Sequence, residues 1–458
     1  MSTDGATIET TIDKELQYEL EYELEEVTKN QQAEKATGVI MDPATGEVLA
    51  IGSYPSFDPL KGSNANPENK RNRAISDIFE PGSTFKIVAA AAALRTGRIK
   101  PNSKYFCENG KFQIGKHTIH EAEATHGFGM LSLAEILEVS SNIGTTKVVF
   151  DVGQDAYRKM ISDFGFFAKS GIDVAGEARG LLQEGPWPDH LFSNISFGHG
   201  VGVTALQIAN AYSAVANGGK LMKPYLIKKV TDAEGNVITS HTPQIIRSVL
   251  SPKEAATLTL MLSGVTQEGG TGVLAQVDGY PVAGKTGTAQ KVNPKGLGYL
   301  HGAYLTSFAG FIPANNPQFT IYVVVDHPKK QFYGAQVAAP IFHKLASFAL
   351  NRKGFMPIVV SESSLAKQIP LPVSVTIPNP SSQKISSQAA ESIQIDRSDA
   401  TPNFMGLTFR EVAEQLDSSK ENAEVQMIGK GVAFSQSPLP GRSMTKTQKI
   451  KIYFRPPG

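Results

Sequence analysis

Leu16, Leu20, Leu24 and Val27 recur at helical spacing through a strongly charged stretch, which predicts an amphipathic helix. The pattern then changes to two short apolar-rich runs, Thr37 to Met41 and Val48 to Ser53. Asp42-Pro43-Ala44-Thr45-Gly46 between them has the composition of a turn, so a β-hairpin is expected. Pro81-Gly82-Ser83 opens a second helix that runs through the Ala89 to Ala93 block and stops near Gly97. It is apolar on nearly all sides, which predicts burial in the domain centre.

An amphipathic helix bearing Leu133, Ile136 and Leu137 is expected to end at Ser140-Ser141-Asn142. Another spans Thr204 to Val215 and stops at Asn217-Gly218-Gly219. Ser251-Pro252-Lys253-Glu254 begins a further helix with a capping-box pattern. Strand-like runs follow at Gly279 to Ala283, Thr306 to Ile312 and Phe319 to Val325, and a closing helix from about Pro340 to Leu350. An early hairpin, a helical middle and late strands imply an α+β domain with one mixed sheet assembled from both ends of the chain.

The pattern dissolves after about Lys353. Residues 353–400 are rich in Ser and Pro without a sustained period and read as a linker between a main domain, 1–352, and a small terminal domain, 401–458. The latter is expected to hold one helix, Phe409 to Leu416, and alternating strands such as Lys449 to Phe454.

Composition narrows the partners. Lys plus Arg (44) nearly cancel Asp plus Glu (43), which argues against nucleic acid, whose phosphates need a concentrated positive field. The single cysteine, Cys107, excludes an intrachain disulfide and a Cys-rich zinc module. No apolar run approaches the roughly 18 to 20 residues needed to span a bilayer. The first residues lack the basic and apolar regions of a signal peptide. If the function requires export, an upstream anchoring segment is expected.

Three segments carry candidate chemistry. Ser83-Thr84-Phe85-Lys86 sets a hydroxyl and an amine three positions apart at a helix start, on one face. A serine is a poor nucleophile until a neighbouring base takes its proton, and a lysine serves only if burial and nearby positive charge lower its pKa. The spacing alone is weak, because Ser364/Lys367, Ser381/Lys384 and Ser443/Lys446 repeat it. In Ser140-Ser141-Asn142, Ser140 could shuttle a proton and Asn142 could hold Lys86 or a substrate amide; a polar helix end would look the same. In Lys285-Thr286-Gly287-Thr288, placed just after a short strand, Lys285 would oppose a substrate carboxylate and help depress the Lys86 pKa. Thr286 and Thr288 could bind that carboxylate, and Gly287 would let substrate backbone approach the edge, although a Gly-containing bulge would also read this way. The backbone N–H groups of Ser83 and Thr288 are candidates for an oxyanion hole.

Ser-x-x-Lys, Ser-x-Asn and Lys-Thr-Gly in this order form the penicillin-recognising serine constellation. From Thr11-Ile12-Asp13 to Leu350 the chain resembles the transpeptidase domain of class B penicillin-binding proteins, particularly the cell-division type. The likeness includes Asp42-Pro43, Gly46-Glu47-Val48-Leu49-Ala50, Arg73-Ala74 and Glu80-Pro81-Gly82-Ser83. It continues in Phe197-Gly198-His199-Gly200, Val203-Thr204, Gln207, Ala216-Asn217-Gly218-Gly219 and Ser307-Phe308-Ala309-Gly310. Gly334-Ala335 departs from the paired glycines frequent in the family. The terminal segment resembles a PASTA repeat through Pro402-Asn403, Gly406-Leu407, Gly429-Lys430-Gly431, Gln436-Ser437-Pro438 and Pro440-Gly441.

The resemblance implies a penicillin-binding, serine β-lactamase-like fold: a five-stranded antiparallel sheet flanked by helices plus an all-helical subdomain, with the active site between them. It implies an extracytoplasmic D,D-transpeptidase with no cofactor, acting on peptidoglycan stem peptides and acylated by β-lactams. A polymerizing glycosyltransferase and division proteins are the implied partners. Two enzymatic rivals share the motifs, a D,D-carboxypeptidase and a serine β-lactamase, although no Glu-x-x-Leu-Asn stretch is present. A non-enzymatic rival is a cell-wall protein that senses muropeptides or β-lactams. His117-Thr118-Ile119-His120-Glu121, with Glu123 and His126, suggests a metal cluster but lacks the helical His-Glu-x-x-His order. These histidines are expected on an exposed loop without a metal.

Overall fold

In the computed structural model the chain divides into two compact units, 1–370 and 371–458. The structure describes residues 5–60, 66–122, 127–293, 296 and 298–355, and in the second unit 404, 407–408, 412, 425–429, 432–437 and 450–455. The expected linker and the expected helix Phe409 to Leu416 fall almost wholly outside these residues.

The first helix, α1 (Lys14–Gln31), begins where the Asp13 side chain accepts the N–H groups of Glu15 and Leu16. Its buried stripe of Leu16, Leu20 and Leu24 lies on a five-stranded sheet. The hairpin forms as predicted, with β1 (Lys35–Met41) and β2 (Val48–Tyr54) joined by the Asp42–Gly46 turn. Three late strands complete the sheet: β5 (Ala283–Val292), β6 (Tyr299–Ile312) and β7 (Phe319–Asp326). The order is β5-β6-β7-β1-β2. The sheet joins both ends of the chain, but every pairing is antiparallel rather than mixed.

The central strands are buried on both faces, so their alternation separates two cores rather than core from solvent. Ile40, Ile321 and Val323 face α1 and the closing helix α8 (Gly334–Arg352), whereas Val39, Met41 and Tyr322 face the helical middle of the chain. At the centre of that helical layer stands α2 (Lys86–Arg95), in which every residue from Lys86 to Leu94 is buried. Around it pack α3 (Leu133–Glu138), α4 (Asn142–Val152), α5 (Asp189–Ser196), α6 (Ala205–Ala216) and α7 (Pro252–Val265). Thr204 and Ser251 close capping boxes at α6 and α7.

Several expectations need correction. The strand placed at Gly279 to Ala283 begins only at Ala283, because Gly279 turns at φ +78° and Pro281 has no ladder donor. The closing helix starts at Gly334 and carries Pro340 inside it, although proline is a common first-turn residue. His117 and His120 lie on a strand, β4 (His117–His120), paired with β3 (Lys111–Ile114), instead of on a loop. Both imidazoles are exposed, whereas Ile119 between them is buried. Glu123 and His126 lie outside the described residues.

In the second unit, strands Val425–Gly429 and Val432–Ser437 flank Ile450–Arg455, the first parallel and the second antiparallel to it. Phe404, Val412, Ala433, Ile450 and Ile452 form a core of their own.

Candidate active site

Gly82 sets the geometry of the first motif. Its φ of +56° is open to glycine at little cost, and its N–H donates to Gly198 O at 3.1 Å. The chain then tightens into a 3-10 turn, Gly82–Phe85, before α2 begins at Lys86. The sequence predicted a continuous helix here. The tighter turn serves the site better, because side chains three positions apart eclipse in a 3-10 turn, and Ser83 and Lys86 are such a pair. Ser83 is 9% exposed and Lys86 is fully buried.

The second motif departs further from expectation. The helix bearing Leu133 ends at Glu138, and Asn142 is the first residue of the next helix. Between them Ser140 takes the left-handed conformation, φ +60°, a strained state for a residue with a Cβ. Its carbonyl accepts the Lys86 ammonium at 2.6 Å, with Ser140 Oγ at 3.2 Å and Asn142 Oδ1 at 2.8 Å. The two motifs thus meet at one nitrogen.

Sequence reasoning placed the residue that fixes this junction in a candidate metal cluster instead. Glu121 is buried just after β4, accepting Ser141 O–H on one oxygen and Asn142 N–H on the other, both at 2.6 Å. A carboxylate at the start of α4 also meets the positive end of that helix. Asn142 Nδ2 donates to His120 O at 3.0 Å, so the hairpin grips the motif at three points. The signal was the strand alternation. Glu121 shares a face with the buried Ile119, and a carboxylate on a buried face requires partners.

The third motif lies within β5 rather than after a short strand. Lys285 to Thr288 pair in unbroken register with Ala309 to Thr306, so no bulge is present there. Gly287 is closely packed: a Cβ there would sit 2.3 Å from Ser307 Oγ and 3.0 Å from Thr84 Cγ2. A Cβ on Gly82 would lie 3.0 Å from Thr288 O, which shows how closely the Ser83 turn abuts β5. Lys285 is fully buried, and its ammonium donates to Thr286 O and Oγ1, each at 3.3 Å. Thr286 Oγ1 is also 2.8 Å from Thr271 Oγ1, and Thr288 Oγ1 accepts Gly334 N–H at 3.1 Å.

These segments surround a cleft of about 940 Å³ lined by Ser83, Ser140, Asn142, Thr286 and Thr288, with Glu121 and His199 also on its wall. Lys86 and Lys285 are buried beneath its surface. Burial pulls the Lys86 ammonium down to about 7, opposed by the Glu121 charge. Burial also drives Lys285 well below its ordinary value, with repulsion from Lys86 second. Burial, one of the two conditions expected from sequence, leads at both amines, and repulsion between the two lysines is the smaller contribution. His199, edge-on to Tyr299, is held near 4, first by burial.

A sequence profile described as the penicillin binding protein transpeptidase domain matches residues 36–347. The chain belongs to the penicillin-binding protein transpeptidase family. It is 35% identical to penicillin-binding protein PbpB of Mycolicibacterium smegmatis over 361 residues, covering 77% of this chain and 55% of that protein. It is 32% identical to stage V sporulation protein D of Bacillus subtilis, covering 91% of this chain and 60% of that one. The chain thus spans a little over half the length of these two relatives. The crystal structure of penicillin binding protein 3 from Mycobacterium tuberculosis complexed with aztreonam superposes with a TM-score of 0.72 at 32% identity. That match covers 78% of this chain and 82% of the other. The transpeptidase domain of Burkholderia pseudomallei penicillin-binding protein 3 gives 0.66 at 31% identity, covering 76% and 97%. Family membership agrees with the α+β architecture expected from sequence.

Proposed function

We propose that this chain is a serine D,D-transpeptidase that cross-links peptidoglycan stem peptides and that β-lactams acylate. One observation carries the reading: the buried Lys86 amine is held by Ser140 and Asn142, one turn from Ser83, with Thr286 and Thr288 of β5 on the same cleft.

In the first half-reaction, Ser83 Oγ attacks the penultimate D-Ala carbonyl while neutral Lys86 takes the hydroxyl proton. An amine held near 7 is substantially neutral at physiological pH, as a general base requires. The peptide C–N bond breaks, and the departing D-Ala nitrogen receives that proton through Ser140. Lys285, Thr286 and Thr288 hold the terminal carboxylate, and the N–H groups of Ser83 and Thr288 take up oxyanion charge. A donor in such a position contributes about 2.7–4 kcal/mol. In the second half-reaction, a stem-peptide amine attacks the ester carbon. Its proton passes by Ser140 and Lys86 to Ser83 Oγ as the ester bond breaks.

The substrate places this activity outside the cytoplasmic membrane. Among the described residues no helix is long and apolar enough to cross a membrane. From the resemblance to the cell-division type we read its role as septal wall synthesis, alongside a polymerizing glycosyltransferase and division proteins. We read residues 1–352 as the transpeptidase domain, 353–400 as a linker and 401–458 as a PASTA-like module.

Fluorescent penicillin labelling followed by a cross-linking assay tests the proposal. Labelling at Ser83 with amine-dependent dimer formation supports it. Release of D-Ala without dimers favours a carboxypeptidase, labelling without turnover favours a sensor, and rapid penicillin hydrolysis favours a β-lactamase.

A further inference from the structure

A second cavity, of about 340 Å³, shares no lining residue with the cleft just described. Its walls are the turn after helix Gln154–Asp163, one face of α6, and two paired strands, Lys220–Met222 and Ile245–Ser248. Lys169, Lys223 and Arg247 line it, and no aspartate or glutamate among the described residues does. None of the three pairs with a carboxylate among the described residues; Arg247 donates to Ser162 O at 3.0 Å. The carboxylate of Glu177, beside the lining residue Ser170, is fully engaged by Ser170 N–H and O–H and by Gly171 N–H. The described lining thus carries three cationic side chains and no anionic one, with the Glu177 carboxylate beside it.

Two buried amides on α6 also line the cavity, and they differ. Gln207 is saturated: it accepts Thr204 N–H and donates to Ala168 O and Arg179 O. Asn210, 5% exposed, donates to Met222 O at 3.2 Å, but its Oδ1 is buried without a partner among the described residues. An unmet buried acceptor costs about 1–3 kcal/mol, so a donor from an occupant is favoured there. A simple solvated lysine face would not require that buried acceptor.

We propose that this cavity binds a small oxyanion that also carries a hydrogen-bond donor. A carboxylate or phosphate group meets Lys169, Lys223 and Arg247, and the ligand's adjacent N–H or O–H reaches Asn210. This assignment is independent of acyl transfer at Ser83.

Calorimetric titration of the full chain tests it, with inorganic phosphate and N-acetyl-D-alanine as probes and the methyl ester of the latter as the uncharged control. Saturable binding of at least one anion is expected, and which one binds distinguishes a phosphate from a carboxylate ligand. Lys223→Gln and Arg247→Gln, both at the surface, should each weaken binding about tenfold, the loss expected for one charge-assisted hydrogen bond. Their thermal midpoints and penicillin acylation rates should match the parent chain. Asn210→Leu should weaken the same probe. No saturable binding, equal binding of the ester, or binding indifferent to the two surface variants would overturn the proposal.

Discussion

Glu121 Oε2 accepts the backbone N–H of Asn142 at 2.6 Å, and the same asparagine accepts the Lys86 ammonium at 2.8 Å. A carboxylate just after a hairpin thereby holds the group that holds the proposed base. Its charge also raises the Lys86 pKa against the pull of burial. Both effects are open to measurement.

Glu121→Gln removes the charge while keeping an acceptor. Lys86 must be neutral to accept the Ser83 proton, so acylation should rise with pH through about 7 in the parent chain. Without the carboxylate the lysine loses its proton more readily, and the rising limb should move to lower pH. Glu121→Ala should in addition cost about 1–3 kcal/mol, because the Ser141 O–H and Asn142 N–H lose their buried acceptor. A limb that stays in place, followed by penicillin acylation rates across pH, would remove the electrostatic role.

Burying Lys86 should cost stability in a pH-dependent way. Its pKa falls from 10.5 to about 7 on folding, so between these values the unfolded chain binds more protons than the folded one. Stability should rise with pH across that window, with the full penalty present below about 7. Lys86→Met should be inactive and should lose this pH dependence, so that its stability relative to the parent chain is highest below pH 7 and falls toward pH 10.5. Denaturant midpoints across pH read this directly.

Gly334 opens α8 directly against β5. A Cβ there would lie 2.4 Å from Gly287 O and 2.6 Å from Ser307 O, both backbone atoms. Gly334→Ala should therefore displace the helix start or the strand, at about 1–3 kcal/mol for overpacking. Acylation should slow in parallel, because Gly334 N–H also holds Thr288 Oγ1. Unchanged acylation kinetics would show that α8 does not support the strand.

Each compact unit has its own buried core. Deleting residues 401–458 should accordingly leave the penicillin acylation rate within about twofold, since mutations without shared partners act nearly independently. A large fall would show that the terminal unit shapes the cleft.

What could be read from sequence divides along physical lines. The three motifs were legible because each needs unusual residue types at fixed spacing, and the α1 stripe and β1–β2 hairpin because periodicity and turn chemistry agreed. The 3-10 turn at Ser83 was not legible, since it depends on Gly82 N–H reaching Gly198, more than a hundred positions away. Nor was the break at Ser140, where strain is offset by the Lys86 contact. The start of β5 was misplaced because Pro281 and Gly279 outweighed the local apolar run. Glu121 was grouped with nearby histidines, yet its partners lie about twenty residues further along the chain. Local pattern reports local preference; the Lys86 environment is built from three distant segments.

The most direct measurement is the mass of the peptide that carries the adduct after exposure to penicillin. This account predicts one stoichiometric adduct on the peptide containing Ser83, lost in Ser83→Ala while that variant keeps its thermal midpoint. A stoichiometric adduct on any other residue, or undiminished labelling of a folded Ser83→Ala chain, would contradict it.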